Sequence, residues 1–219
     1  MTHITVTTFK WVPPLAQGLV RDLRVRWALE EANLPYREKL LESGEQNTPA
    51  YRALQPFGQV PVFEQDGLVM FESGAILMHI AEQSQGLMPA DLARRSRVRT
   101  WMFAALNSVE PHVQNLVSID LFNANEDWAK ARRPAAEKFA LARLDGVAAA
   151  LAGHDYLVDD FTIADLLMVT VLRFLRHTRI VTDHPVLGPY QARCEARPPF
   201  QRALDAQMAN FVRYAPAAA

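Results

Sequence analysis

Phe57-Gly58-Gln59-Val60-Pro61-Val62-Phe63-Glu64-Gln65-Asp66-Gly67-Leu68-Val69-Met70-Phe71-Glu72-Ser73 holds a strand, a turn, a returning strand and the start of a helix. Val60 to Glu64 and Leu68 to Phe71 are predicted to pair across Gln65-Asp66-Gly67, since Asp-Gly accepts the positive φ angles of a tight hairpin turn. Proline has no N–H for a ladder, so Pro61 belongs at a strand start or edge. An X-Pro bond reaches the cis form for only about 0.5–1 kcal/mol. A cis Val60-Pro61 would turn the Val60 backbone outward, with its N–H and C=O offered to an extended ligand; an ordinary edge proline is the other reading. Ser73 is expected to cap a helix running to about Ser84. Free N–H groups at a helix start attract carboxylates, and Glu72 beside them can pair with an ammonium. Together they suit an α-amino acid, which carries both charges on one carbon.

Outward from that hairpin, His3 to Phe9 alternates and is rich in Thr, Ile and Val, which predicts a strand ended by Pro13-Pro14. Leu19, Leu23, Val25, Trp27 and Leu29 predict a helix over Leu19 to Ala32, stopped by Pro35. Tyr36 to Leu41 reads as a strand, and Thr48 to Leu54 as a helical turn with Pro49 at its first position. The order strand, helix, strand, helix, strand, strand, helix makes a small mixed sheet with helices packed on it. Gly86 to Asp91 reads as a linker, giving an α/β domain over 1–85 and an all-helical domain over 92–219.

In that second part, Leu92 to Val117 reads as one long helix kinked at Pro111. Ala135 to Ala152 reads as amphipathic, and Phe161 to Arg176 as a buried central helix. Pro185 to Arg197 and Pro199 to about Val212 complete the helices, and the tail from Ala215 is expected to fray. Thr162-Ile163-Ala164-Asp165 before an apolar run is a capping-box variant, assigned a structural role in the core.

Bulk properties narrow the function. The 219 residues carry a formal net charge of −1, unlike the footprint of a nucleic-acid binder. The basic run Arg94-Arg95-Ser96-Arg97-Val98-Arg99 reads as a solvated helix face. Cys194 is the one cysteine, which excludes an internal disulfide and a Cys-x-x-Cys redox centre and fits a reducing, cytoplasmic compartment. Residues 1–20 show no signal-peptide pattern, and no apolar run approaches the roughly 18 residues of a membrane span. The six histidines lack metal-ligand spacing, so no metal is expected, and His79 reads as a core residue.

The ordered pieces Val25-Arg26-Trp27-Ala28-Leu29-Glu30-Glu31, Phe57 to Val62, Phe71-Glu72-Ser73-Gly74-Ala75-Ile76, Leu87-Met88-Pro89, Phe161 to Asp165 and Tyr190 to Pro198 resemble the cytosolic glutathione transferases over essentially the whole chain. That resemblance implies a thioredoxin-like first domain with a cis Val60-Pro61, an all-helical second domain and a homodimer. It also implies glutathione as co-substrate: Val60 on its cysteinyl backbone, Glu72 and Ser73 on its γ-glutamyl end, and Gln59 near its glycyl or cysteinyl part. A small hydrophobic electrophile would be the second substrate, with Trp101, Phe103 and Asn107 as wall candidates; glutathione-dependent reduction, isomerisation or dehalogenation, or a binding module with little turnover, are the alternatives.

One departure concerns the chemistry. Members of that family activate the thiol with a Tyr, Ser or Cys near the end of the first strand or the start of the first helix, and none occurs between Thr8 and Tyr36. The position where the family places Ser or Cys falls at about Leu19. Thr8, Lys10, Trp11, Gln17 and the backbone around Gly18 and Leu19 are the donors at hand, with Lys10 and Trp11 the catalytic candidates.

Overall fold

In this computed structural model, residues 3–216 are described; the last three residues of the tail expected to fray lie outside them. They divide into two compact units. One holds the chain up to Leu87 together with the segment from Ala196, and the other runs from Met88 to Glu195.

The first unit is built on four strands, β1 (Ile4–Phe9), β2 (Tyr36–Leu41), β3 (Val62–Gln65) and β4 (Leu68–Met70), in the order β2-β1-β3-β4. β1 lies parallel to β2 and antiparallel to β3, and β3 turns back into β4. Asp66 and Gly67 take φ values of 49° and 90°, the two positive angles that join such a pair with matching twist. Helices α1 (Asp22–Glu31), α2 (Pro49–Arg52) and α3 (Ser73–Glu82) follow in the predicted order, giving the thioredoxin-like α/β arrangement. Val6, Phe63, Trp27, Leu29, Ile76 and Ile80 are fully buried, while Tyr51 of α2 packs with Leu41, Val60 and Val62 in a smaller cluster.

α1 begins three residues later than the apolar spacing predicts. Pro14–Ala16 form a 3-10 turn and Gly18 has a φ of 73°, so the chain is still turning where Leu19 was expected to open the helix. Its buried face is also more polar than the spacing suggests, since Asp22, Arg24 and Arg26 are all buried.

Apart from one isolated bridge between Val158 and Asp160, the elements of the second unit among the described residues are helical, with α4 (Leu92–Phe103), α5 (Glu110–Val117), α6 (Asp127–Leu151), α7 (Ile163–Leu172) and α8 (Leu187–Glu195) the longest. The expected single helix with a kink at Pro111 is instead α4 and α5 joined by a π-helical segment, Ala104–Val109. Pro111 has no N–H for the carbonyl one turn back, and widening the ladder upstream accommodates that loss. α6 starts well before the expected Ala135 and carries Pro134 in its interior. Every residue of α7 is buried, and Thr162 and Asp165 form the expected capping box at its start.

The expected helical domain over 92–219 differs from the compact units at its far end. α9 (Pro198–Arg213) packs on α1 in the sheet-containing unit. Trp27 and Phe200 meet edge-on with centroids 4.7 Å apart. Arg197 makes a bidentate pair with Glu31 at 2.6 and 2.7 Å, and the Gln207 amide donates to Asp22 at 2.7 Å. Those contacts join residues more than 160 positions apart and leave no local signal.

Candidate functional site

The hairpin register fixes the site's frame. Pairing of Phe63 with Met70 puts Val60-Pro61 and Glu72-Ser73 beyond the same open end of the β3–β4 ribbon. Pairing of Thr7 with Val62 brings the end of β1, and so Lys10 and Trp11, to that side of the sheet. The Phe57 and Phe71 rings meet edge-on at 6.1 Å, joining the two segments that lead into the site.

The Val60–Pro61 peptide is cis. Both side chains are buried, yet among the described residues nothing bonds the N–H or C=O of Val60. A main-chain edge is therefore open beside a buried anchor. The loop before it is pinned from within: the Tyr51 hydroxyl donates to the Gln59 carbonyl at 2.7 Å, and the buried Gln55 side chain accepts from the Phe57 N–H at 2.6 Å. Burial pushes the Tyr51 phenol up to about 12, so it remains a donor at neutral pH. Gly58 has a φ of 65°, and a Cβ there would sit 2.9 Å from the Gln46 carbonyl oxygen, so this turn requires glycine. The Gln59 side chain itself is exposed.

At the other segment, Ser73 is the first residue of α3 and not its cap. Glu72 occupies the cap position at φ 68° and makes no side-chain capping bond. A non-glycine residue held there costs on the order of 1–3 kcal/mol, and such strain gathers at ligand clamps. The leading N–H groups of α3 thus lack a side-chain cap, Ser73 is buried, and the Glu72 carboxylate is exposed beside them. The Ser73 hydroxyl accepts from Arg24 Nη1 at 3.1 Å.

The thiol-activation candidates separate on geometry. Lys10 is ion-paired with Glu42, which raises the ammonium's pKa, and lies 4.8 Å from the Tyr214 ring centroid. Such an ammonium is a poor proton acceptor. Thr8 is buried in β1 and Gln17 donates to the Val12 carbonyl at 3.0 Å. The Leu19 N–H bonds the Ala16 carbonyl at 3.0 Å. Trp11 is half-buried, and its indole has no hydrogen-bond acceptor among the described residues. Cys194 is buried in α8.

Sequence reasoning missed Arg24, Tyr51 and Gln55. A charged residue at a buried helical position is a weak hint of Arg24; nothing local signals the other two.

The family profile of the glutathione S-transferase N-terminal domain matches residues 7–82. Glutathione S-transferase F10 of Arabidopsis thaliana is 35% identical over 144 residues, 62% of this chain and 66% of that relative. The chain belongs to the glutathione S-transferase family. The chain's match to the Arabidopsis relative spans just under two thirds of that protein's length. A probable maleylacetoacetate isomerase 2 of Drosophila melanogaster is 28% identical over 187 residues, 82% of this chain and 81% of the relative. Among solved structures, a theta class glutathione S-transferase from Xanthomonas axonopodis pv. citri with glutathione bound is 27% identical, with a TM-score of 0.78 over 93% of this chain and 98% of that one. Within this glutathione S-transferase fold no group of three or more potential metal ligands gathers among the described residues, and no described helix is long and apolar enough to cross a membrane.

Proposed function

We propose that the chain binds glutathione at Gln59, Val60, Pro61, Glu72 and Ser73 and directs its thiolate at a small hydrophobic electrophile, working as a cytoplasmic homodimer. The observation that carries this reading is the open Val60 main-chain edge facing the same hairpin end as the uncapped start of α3. Val60 pairs with the cysteinyl backbone, Ser73 and the leading N–H groups of α3 take the γ-glutamyl carboxylate, and Glu72 takes its ammonium. Loss of a hydrogen bond to a charged group costs about 1.5–3 kcal/mol, or roughly ten- to hundredfold in affinity. Titration calorimetry is expected to register that weakening for Ser73→Ala and for Glu72→Gln. Wild-type affinity in both variants would refute the site.

A free thiol, with a pKa of about 8.5, is mostly protonated at neutral pH, so transfer needs a group that favours the anion. The Trp11 indole N–H suits that task best: it has no acceptor among the described residues, whereas Lys10 is engaged by Glu42, Gln17 donates to Val12 and Thr8 is buried. Ultraviolet titration of the bound thiolate tests the assignment: Trp11→Phe should move the glutathione thiol back toward its free value while still binding glutathione. An unchanged thiol titration would remove Trp11 from the chemistry. The likeness to the Drosophila relative supports a second reading, glutathione-dependent isomerisation, in which the thiolate adds to a polarised double bond and leaves again.

A further inference from the structure

Arg24 sits in the middle of α1 and is 1% exposed, with its Nη1 donating to the Ser73 hydroxyl across 49 positions of sequence. We propose that Arg24 is a positioning residue that holds Ser73 as a hydrogen-bond donor toward an anionic group and makes this helix tip selective for a carboxylate; the inference rests on the glutathione reading above. A guanidinium has only donors, whereas a hydroxyl has one donor and two acceptor sites. In the Arg24–Ser73 contact the hydroxyl oxygen must therefore accept, and its own proton must point to another acceptor.

The arrangement has a second effect. Removing a guanidinium from water costs several kcal/mol unless compensating charge and hydrogen bonds are close. Neighbouring Asp22 and Arg26 pair with each other at 2.6 Å, and Gln207 takes the other oxygen of Asp22. Arg24 Nη1 reaches from α1 to the start of α3, where the N–H groups that lack a side-chain cap carry partial positive charge. A guanidinium donor and a helix end thus meet at Ser73. An incoming carboxylate gains from the cation, the helix end and the pre-aimed hydroxyl together, while a neutral amide gains mainly from the hydroxyl. A serine without Arg24 behind it could turn its proton elsewhere and would discriminate less.

Calorimetry on the full chain with two probes tests this: glutathione, and its analogue with the γ-glutamyl α-carboxylate converted to a carboxamide. Wild type should prefer glutathione at least about tenfold. Arg24→Met should cut that preference to within about threefold, Arg24→Lys should retain an intermediate preference, and Arg24→Met with Ser73→Ala should be no less selective than Arg24→Met alone. Arg24→Lys and Ser73→Ala carry the test if Arg24→Met does not fold. Undiminished selectivity in a folded Arg24 variant, or losses from Arg24 and Ser73 that multiply independently, would overturn the inference and leave the glutathione reading intact. No heat from wild type with glutathione would overturn both.

Discussion

Asp165→Ala is expected to lower the stability of the chain by about 3–5 kcal/mol, near the upper end of what a single substitution does. The side chain accepts from the Leu157 N–H at 2.8 Å, the Thr162 N–H at 2.9 Å, the Thr162 hydroxyl at 3.2 Å and the Tyr190 hydroxyl at 3.0 Å. Asp165, Thr162 and Tyr190 are all buried, so an alanine leaves several donors without water or partner. Thr162→Ala removes only the capping oxygen and should cost about 1 kcal/mol. Differential scanning calorimetry should therefore place Asp165→Ala on the order of 10 °C below wild type, with Thr162→Ala only a few degrees below. Equal shifts would show that the cap, and not the buried carboxylate, organises the start of α7. The pH dependence carries a sign. Burial pushes the Asp165 carboxyl above its ordinary range even though four donors pull the other way. The folded chain then holds this proton more tightly than the unfolded chain, so the residue's contribution to stability falls as pH rises from the ordinary carboxylate range to the raised value. That component should vanish in Asp165→Ala.

What the sequence revealed follows from how local each interaction is. Asp66-Gly67 dictates its own turn, Thr162 and Asp165 lie three residues apart, and the alternation of β1 needs no distant partner, so the hairpin, the capping box and the mixed sheet were all legible. The glutathione S-transferase resemblance rested on those same pieces. Ser73 was placed at the right helix end but one position off, because Glu72 adopts a left-handed φ that its side chain does not advertise. The helix expected from Ala135 begins at Asp127, so Pro134 lies inside α6. The π-helical segment upstream of Pro111 changes the hydrogen-bond period without changing the apolar pattern enough to be seen. Arg24, Tyr51 and Gln55 escaped because their roles exist only after folding: Arg24 and Ser73 belong to different helices, and Tyr51 and Gln55 act on a loop backbone. α9 was counted with the preceding helices since its partners on α1 lie at the other end of the chain.

Arg26→Met is expected to cost about 3–5 kcal/mol, because it strands a buried carboxylate. Arg26 and Asp22 are each 0% exposed, and their contact is 2.6 Å. Burial alone would lower the Arg26 pKa; Asp22 and Glu38 outweigh it and hold the guanidinium raised. With methionine in place, Asp22 keeps the Gln207 amide but loses its countercharge, and Glu38 keeps Asn210. Because Gln207 and Asn210 are both on α9, the damage should spread to the α1–α9 seam, where Trp27 packs on Phe200 and Glu31 holds Arg197. Adding Asp22→Asn removes the stranded charge, so the double variant should recover stability relative to Arg26→Met. Urea unfolding of the four-member cycle reads this as a coupling of about 1–3 kcal/mol between the two sites. Additive losses would mean that the two charges are stabilised separately by their other partners. The seam would then owe its strength to apolar packing and to the Arg197–Glu31 fork, and not to the buried pair at the start of α1.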